Sequence, residues 1–223
     1  MTNLGQHSLD IVHWISGVKG PAAVTSCGGR RFLKDNGEVP DIQDTIVEYP
    51  GFNAVCQFRE CAAGFGQTGM GGVQFHGTRG SMNLGRNGFE VTADKKENPV
   101  NIVSRVVTGG HPVGGPQPVD EPKDQTWCEP ASDKTGNATQ QYSLHAQNFI
   151  DCIKSRKTPN SDLESSHWVS TTCHLGNLSL KTGRKLLWDA AANDIHADKE
   201  ASAMLERVYR EPWAAELKSL LGS

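Results

Sequence analysis

The chain has 223 residues, of which 36% are hydrophobic and 21% charged, and its formal net charge at pH 7 is −3. This length is sufficient for one sizeable hydrophobic core or two small ones. Because the charge is nearly balanced and the basic residues are dispersed, nucleic-acid binding is not expected. No apolar run approaches the roughly 20 residues of a membrane-spanning helix, and no signal-peptide pattern opens the chain, so no membrane partner is expected.

A helix is predicted near the N-terminus, over Leu4–Ser16. Apolar residues recur at helical spacing at Leu4, Ile11, Trp14 and Ile15. Gly17 supplies the stop. Asn3 precedes the first turn, where its side-chain oxygen can accept a hydrogen bond from a free backbone N–H. The residue pattern alone therefore predicts Asn3 as the N-cap.

Six segments with strand character follow, separated by glycine, proline and asparagine. They are Ala22–Gly28, Asp44–Tyr49, Phe52–Glu60, Gly72–His76, Ser81–Leu84 and Phe89–Thr92. Turn sequences at 49–52, 77–80 and 85–88 join neighbouring segments, which makes those neighbours antiparallel. The sequence therefore predicts a meander of five or six strands.

Residues 95–137 are rich in glycine, proline, aspartate and lysine and show little periodicity. A structureless stretch of this length is uncommon inside a compact domain unless it is a lid, an interaction arm or a mobile segment. We therefore expect an irregular arm or insertion at about 95–137, within a single domain that spans residues 1–223.

Two longer helices are predicted in the second half of the chain, over Thr139–Arg156 and Leu163–Thr182. The first has an apolar stripe, formed by Tyr142, Ala146, Phe149, Ile150 and Ile153. The second is almost uncharged over residues 169–180, which is typical of a helix buried against a sheet.

Two short elements complete the pattern, an edge strand over Lys185–Asp189 and a weak helix over Lys199–Arg207. Strands come first along the chain and most helices follow them. This order indicates an α+β fold, with an open, largely antiparallel or mixed β-sheet and helices packed on one face.

Neither the cysteines nor a pair of spaced histidines indicate a metal site or a disulfide framework. The six cysteines form no C-x-x-C pair, and reduced thiols are expected in a chain of this size. His167 and His174 are two helical turns apart, but no third ligand accompanies them at metal-binding spacing. We expect core or interface histidines at these two positions.

The first predicted helix carries the motif Asn3-x-Gly5-x-His7-x-x-Asp10. It resembles the D-x-G-x-H-x-x-D segment that begins the substrate-binding C-terminal domain of the glucose-fructose oxidoreductase/inositol dehydrogenase (Gfo/Idh/MocA) family. Further similar blocks occur in the same order and spacing. They are His145-x-x-Asn148-Phe149-x-x-Cys152, Cys173-His174-Leu175-Gly176-Asn177-Leu178, Gly183-Arg184-Lys185-Leu186-x-Trp188-Asp189 and Tyr209-Arg210-x-Pro212-Trp213. The resemblance extends from Thr2 to about Trp213.

The resemblance implies a glyceraldehyde-3-phosphate-dehydrogenase-like domain whose open sheet face contacts a second subunit, so a homo-oligomer is expected. It also implies a carbohydrate-like substrate, held between this domain and an N-terminal Rossmann domain that binds NAD or NADP. A pyrophosphate site requires a glycine-rich turn that follows a strand and opens a helix, and the glycine-rich strings at 64–72 and 109–115 have neither context. We therefore expect the Rossmann domain to be missing before Met1, and no cofactor to bind this chain alone.

The resemblance also assigns roles to individual residues. His7 is implied to be catalytic, because a neutral imidazole can accept the proton released as hydride leaves the substrate carbon. Asn3 stands where many members have aspartate, and it can hydrogen-bond a sugar hydroxyl without accepting a proton. His145 and Arg59 are further candidates for substrate contact, with solvent-facing positions as the alternative.

These expectations favour the substrate-binding half of an NAD(P)-dependent oxidoreductase that acts on a sugar, polyol or related hydroxyl compound. The isolated chain is expected to be inactive. Two alternatives stay open, an NAD-dependent glycosidase or epimerase of the same family, and a cofactor-free binding or assembly module.

Overall fold

The structure is a computed structural model that describes residues 1–62, 72–96, 125–136 and 138–222. The chain divides into two compact units, one formed by residues 1–64 and 156–223 and the other by residues 65–155. Each unit contains its own antiparallel sheet. The predicted α+β class is confirmed, but the strands predicted as one meander belong to two separate sheets.

The elements of the first unit are α1 (Gly5–Ser16), β1 (Ala23–Gly29), β2 (Ile42–Tyr49) and β3 (Phe52–Arg59). The second unit contains β4 (Val73–His76), β5 (Gly80–Gly85), β6 (Gly88–Ala93), β7 (Ala131–Asp133) and helix α2 (Ala138–Ser155). The first unit then resumes with α3 (Leu163–Thr182), β8 (Leu186–Asp189), β9 (Asp194–Ile195), α4 (Lys199–Ser202) and α5 (Trp213–Leu221).

The sheet of the first unit has the strand order β3-β2-β1-β8-β9, with every neighbouring pair antiparallel. The predicted turn between β2 and β3 is confirmed, because Tyr49 pairs with Phe52 and Gly51 has a φ of 91°. β8 is not the edge strand that the sequence suggested. The two-residue strand β9 covers it, and a strand this short leaves no alternating pattern in the sequence.

Helix α3 packs on one face of this sheet and forms the core with it. Its start is fixed by Asp162, whose carboxylate accepts the backbone N–H groups of Glu164 and Ser165, and its end by the left-handed Gly183. The buried face of α3 consists of Val169, Thr172, Cys173, Leu175, Gly176 and Ser179. It meets fully buried strand residues such as Val24 and Val47. The prediction that this helix is buried is confirmed.

Within the described part of the first unit, no helix packs on the opposite face of the same sheet. Ile46, Val55 and Leu187 lie there with 45%, 65% and 46% of their surface exposed. Two ion pairs flank them, Arg59 with Asp44 at 2.6 Å and Lys185 with Glu48 at 2.7 Å. The sheet is therefore covered on one face and open on the other.

The connection between β1 and β2 is held by one buried carboxylate. Asp41 is 1% exposed, and its two oxygens accept the backbone N–H groups of Arg31, Phe32 and Leu33 at 2.6 to 2.9 Å. These N–H groups stabilise the charged carboxylate and lower its pKa to about 2. Phe32, at the tip of the connection, is 68% exposed.

The second unit is a four-stranded antiparallel sheet in the order β4-β5-β6-β7, with α2 after it. Strand β7 lies inside the stretch predicted to be an irregular arm, and residues 97–124 of that stretch lie outside the described residues. The predicted apolar stripe of α2 is exposed, with Tyr142 at 69%, Phe149 at 60% and Ile153 at 51%. The helical spacing of these residues correctly predicted a helix, but it did not show whether the apolar stripe is buried. Among the described residues, no helix combines the length and apolarity needed to cross a bilayer.

Candidate functional site

The candidate site is built on the first turn of α1. The helix begins at Gly5, with Leu4 as its N-cap and no side-chain cap. Backbone carbonyls take the place of a capping side chain, since Met1 O accepts the Gly5 N–H at 3.0 Å and Leu4 O accepts the His7 N–H at 3.2 Å. The prediction that Asn3 caps the helix is therefore wrong. Leu4 has helical angles rather than the extended ones that let a capping side chain reach the N–H groups, and Asn3 is exposed.

The buried face of α1 is not the one that the apolar spacing predicted. Gly5, Leu9, Val12 and His13 are buried, whereas Leu4, Trp14 and Ile15 are 52%, 80% and 44% exposed. The buried residues follow the i, i+4, i+7, i+8 pattern of a core-facing helix. The hydropathy pattern did not predict this face, because two of its four buried residues, Gly5 and His13, are not strongly hydrophobic.

Gly5 brings the first turn close to strand β3. A Cβ atom at Gly5 would lie 2.8 Å from Cζ of the Phe58 ring, which is closer than side-chain contacts normally allow. One turn further along, Leu9 packs in the core cluster with Val169 and Cys173 of α3. The glycine of the N-x-G-x-H motif therefore has a packing role at this position.

His13 and Tyr49 form a buried hydrogen bond between α1 and β2. His13 Nε2 lies 2.8 Å from the Tyr49 hydroxyl oxygen, and the two rings meet edge to face with centroids 5.4 Å apart. Only 6% of the His13 surface and 5% of the Tyr49 surface is exposed. Removal from water lowers the pKa of His13 to about 4 and raises the pKa of Tyr49 above its usual value. Among the residues that the structure describes, buried His13 Nδ1 has no hydrogen-bond partner.

The imidazole of His7 belongs to the exposed face of α1. Asp10 follows three residues later, so it lies one helical turn away on a neighbouring part of the surface. Partial burial raises the pKa of Asp10, and the positive charge of protonated His7 acts in the opposite direction. An accessible imidazole beside a carboxylate can take up a proton, and the carboxylate stabilises the imidazolium that forms.

The structure places Arg59 away from His7. Arg59 ends β3 with its side chain on the open face of the sheet, whereas the preceding residue, Phe58, faces α1. Its guanidinium pairs with Asp44 and also donates to the backbone carbonyls of Gln43 and Phe58. Arg59 and His7 thus belong to opposite sides of the first unit. A substrate role for Arg59 stays a prediction.

His145 lies on α2 in the second unit, where it is exposed. Substrate contact by His145 also stays a prediction. His167 and His174 are exposed on α3, so a core position is wrong for both, and an interface position stays a prediction. His167 Nε2 lies 3.2 Å from Asn193 Oδ1. No group of three or more potential metal ligands occurs among the described residues.

The cysteines supply no reactive thiol at this site. All six are free, and Cys56 and Cys173 lie in or against the core beneath α1. Burial raises their pKa values to about 12 and 11, so both thiols stay protonated at neutral pH. They act here as small apolar core residues.

The second unit contains a separate groove of about 320 Å³. It is lined by Phe75, Gly77, Thr78, Arg79, Gly80, Ser81, Met82, Val91 and Cys128. Its surface is mostly apolar, and it contains no histidine or carboxylate that could act as an acid or base. The groove is therefore a weaker candidate for chemistry than the first turn of α1.

One family model matches part of the chain. Residues 129–215 match the oxidoreductase family C-terminal alpha/beta domain of the Gfo/Idh/MocA group. The match confirms the resemblance to this domain for these residues, and the motif from Asn3 to Asp10 lies outside it. No curated protein matches the chain in sequence.

Solved structures share the fold at low sequence identity. An oxidoreductase from Agrobacterium radiobacter, in complex with NAD⁺, L-tartaric acid and magnesium, has a TM-score of 0.54 and 14% identity over 83% of this chain and 48% of its own. WlbA dehydrogenase from Bordetella pertussis, in complex with NADH and UDP-GlcNAcA, has a TM-score of 0.54 and 14% identity, and the match covers 84% of this chain and 47% of that protein. Aldose-aldose oxidoreductase from Caulobacter crescentus, complexed with glycerol, has a TM-score of 0.50 and 16% identity, and the match covers 82% of this chain and 46% of that protein. The chain thus spans about half the length of these structures.

The G-x-G-x-x-G string that starts at Gly64 lies outside the described residues, and the next described element is strand β4. A pyrophosphate site needs the N-terminus of a helix directly after such a turn. That no cofactor binds this chain alone stays a prediction.

Proposed function

We propose that this chain is the substrate-binding half of an NAD(P)-dependent oxidoreductase that acts on a sugar, polyol or related hydroxyl compound. A nicotinamide cofactor held by a separate nucleotide-binding domain would supply the hydride acceptor. The observation that carries the proposal is the position of His7. Its imidazole is exposed on the first turn of α1, inside the N-x-G-x-H motif, while the opposite face of the helix makes the core contacts.

The chemistry assigned to this chain is proton transfer. When an alcohol carbon loses hydride, its hydroxyl must lose a proton for the carbonyl to form. The neutral imidazole of His7 accepts that proton, and Asp10 stabilises the resulting imidazolium. Asn3, exposed four residues before His7, can hydrogen-bond a substrate hydroxyl but cannot take its proton.

The substrate class is supported by the ligands of the structural neighbours. Those proteins are complexed with NAD⁺ and L-tartaric acid, with NADH and UDP-GlcNAcA, or with glycerol. Apart from NAD⁺ and NADH, each of these ligands carries hydroxyl groups. This supports our proposal that a hydroxyl compound is the substrate of the oxidoreductase to which this chain belongs.

We also propose that the chain forms a homo-oligomer through the open face of the first sheet. Ile46, Val55 and Leu187 are all at least 45% exposed there, between two ion pairs. Apolar side chains clustered on a flat face typically mark an interface, and a two-fold dimer would bury the same patch on both copies. Ile46→Asp should convert an oligomer to monomers in analytical ultracentrifugation. A wild-type chain that sediments as a monomer would contradict this part.

The central test is turnover of the oxidoreductase assembled with this chain. His7→Ala should lower kcat by about 10²- to 10⁴-fold, the usual contribution of a general acid or base, with cofactor affinity unchanged. His174→Ala is the matched control, because His174 is exposed on α3 in the same unit. Wild-type turnover in the His7 variant would remove His7 from the mechanism.

A further inference from the structure

Two contacts of different kinds join α1 to the strands of the sheet, and His7 lies between them in sequence. Two residues before His7, Gly5 lets the helix backbone approach the Phe58 ring of β3. Six residues after it, His13 bonds to the Tyr49 hydroxyl of β2. Both contacts lie on the buried face of α1, opposite the face that presents His7. The orientation of His7 therefore depends on the roll of one helix about its own axis.

We propose that His13 and Tyr49 are positioning residues for His7, and that their hydrogen bond sets the roll of α1. The inference rests on the proposed function, in which His7 handles the substrate proton. A hydrogen bond is directional, because its strength falls steeply as the donor angle departs from linearity. An apolar contact is not directional and tolerates small rotations. Leu9 and Val12 can thus keep α1 on the core, whereas the His13–Tyr49 bond selects one rotation.

The choice of residues at this position supports a geometric role. Replacing both partners of a buried hydrogen bond with apolar side chains of the same shape can be neutral or stabilising, and His13 Nδ1 has no hydrogen-bond partner among the described residues. Leucine and phenylalanine would pack the same interface without an unpartnered buried nitrogen. A directional bond at such a cost is explained by the orientation that it imposes on the helix.

The size of the effect follows from helix geometry. An α-helix with its side chains has a radius of about 5 Å, so a roll of about 10° moves an outward-facing side-chain tip by about 1 Å. His7 and His13 are separated by about 9 Å along the axis, at 1.5 Å per residue, within one continuous helix. A misplacement of about 1 Å at a reacting group can reduce a rate by about 100-fold.

The test compares four variants of the assembled oxidoreductase below their melting temperatures: Tyr49→Phe, His13→Leu, His13→Gln and His7→Ala. Tyr49→Phe and His13→Leu each keep the packing volume and remove the bond. Tyr49→Phe also removes an interaction of the Tyr49 hydroxyl with Thr172 of α3, which His13→Leu leaves in place. They should lower kcat by about 10- to 100-fold with KM changed less than about threefold, because substrate binding does not require the proton to move. His13→Gln keeps a group that can bond to Tyr49, and it should retain kcat within about threefold of the wild type.

A purely structural role would give a different result. If Tyr49→Phe and His13→Leu only destabilise the fold, kcat below the melting temperature stays at the wild-type level and the proposal is overturned. Equal losses in His13→Gln and His13→Leu would also overturn it, since the bond would not be the cause. If His7→Ala keeps full turnover, the proposed function itself fails. A large loss in His7→Ala, with none in the two bond-deleting variants, rejects only the positioning role.

Discussion

The buried His13 makes the stability of this chain depend on pH in a calculable way. Its pKa is about 4 in the folded chain, against an ordinary value of 6.5. Between these values the unfolded chain binds a proton that the folded chain does not, so stability falls as pH is lowered from about 6.5 to 4. A pKa difference of one corresponds to about 1.36 kcal/mol, so the difference of about 2.5 between the folded and unfolded chains gives a maximum loss of about 3 kcal/mol. At pH 5 the expected loss is about 2 kcal/mol.

Replacing His13 with glutamine removes the titrating group while keeping a polar side chain that can bond to Tyr49. Urea denaturation of the wild type and of His13→Gln at pH 7 and pH 5 gives the free energy of unfolding in each case. Between the two pH values, the wild type should lose about 2 kcal/mol more than the variant. Asp41 does not disturb this window, because its pKa is about 2.

The matched control for this measurement is His174→Gln, which removes an exposed histidine from α3. Its pH dependence should follow that of the wild type. Equal losses of stability in the wild type and in His13→Gln would refute the reasoning, because they would mean that the folded chain protonates His13 as easily as the unfolded one.

Three further predictions concern the core, the loop before β2 and the cofactor. Leu175→Ala should lower the free energy of unfolding by about 2 to 5 kcal/mol, because Leu175 is fully buried. As the control, Leu220→Ala at an 84% exposed position should change it by less than about 0.5 kcal/mol. Similar values for the two variants would contradict the described core. Asp41→Asn should lower the melting temperature at pH 7, and this deficit should narrow as pH falls from about 4 to 2, because the wild-type carboxylate begins to take up a proton. A deficit as large at pH 2 as at pH 7 would show that charge is not the cause. Isothermal titration calorimetry of the isolated chain with NADH should detect no binding, and micromolar affinity would contradict the assignment of the cofactor to another domain.

The sequence predicted those elements whose signals are local. The turn between β2 and β3 has proline and glycine at adjacent positions, and α3 has an Asp162 cap, an uncharged face and a terminal glycine. In such cases the conformational preferences of a few neighbouring residues determine the backbone conformation. Strand β9 and helix α5 were missed, because two residues have no periodicity and the nine residues of α5 bury none of their side chains.

Predictions about packing were less successful, for a physical reason visible in α1. The helix has two faces with helical spacing, and the more hydrophobic one, with Leu4, Trp14 and Ile15, is exposed in this chain. The face that packs includes Gly5 and His13, which owe their burial to the shape of Phe58 and to the hydroxyl of Tyr49. Those partners lie about 35 to 55 positions away in sequence, and no local pattern encodes a contact at that distance.

The candidate site shows the same division. The N-x-G-x-H motif directed attention to His7, and the structure gives that residue an exposed position on the first turn of α1. It did not reveal the anchors of that turn, because His13 and Tyr49 belong to different elements. Arg59 was proposed from its place at a strand end. Its ion pair with Asp44 on the open sheet face could not be foreseen without the pairing of β2 and β3.

The most direct test of the central claim is chemical rescue of His7→Ala in the assembled oxidoreductase. Turnover of the variant is measured with increasing concentrations of free imidazole, at a pH where imidazole is mostly neutral. If His7 accepts the substrate proton, turnover should be strongly reduced and then rise with imidazole concentration, because the small base can enter the space left by the side chain. His174→Ala should show neither effect. Undiminished turnover in His7→Ala would contradict the assignment of proton transfer to His7.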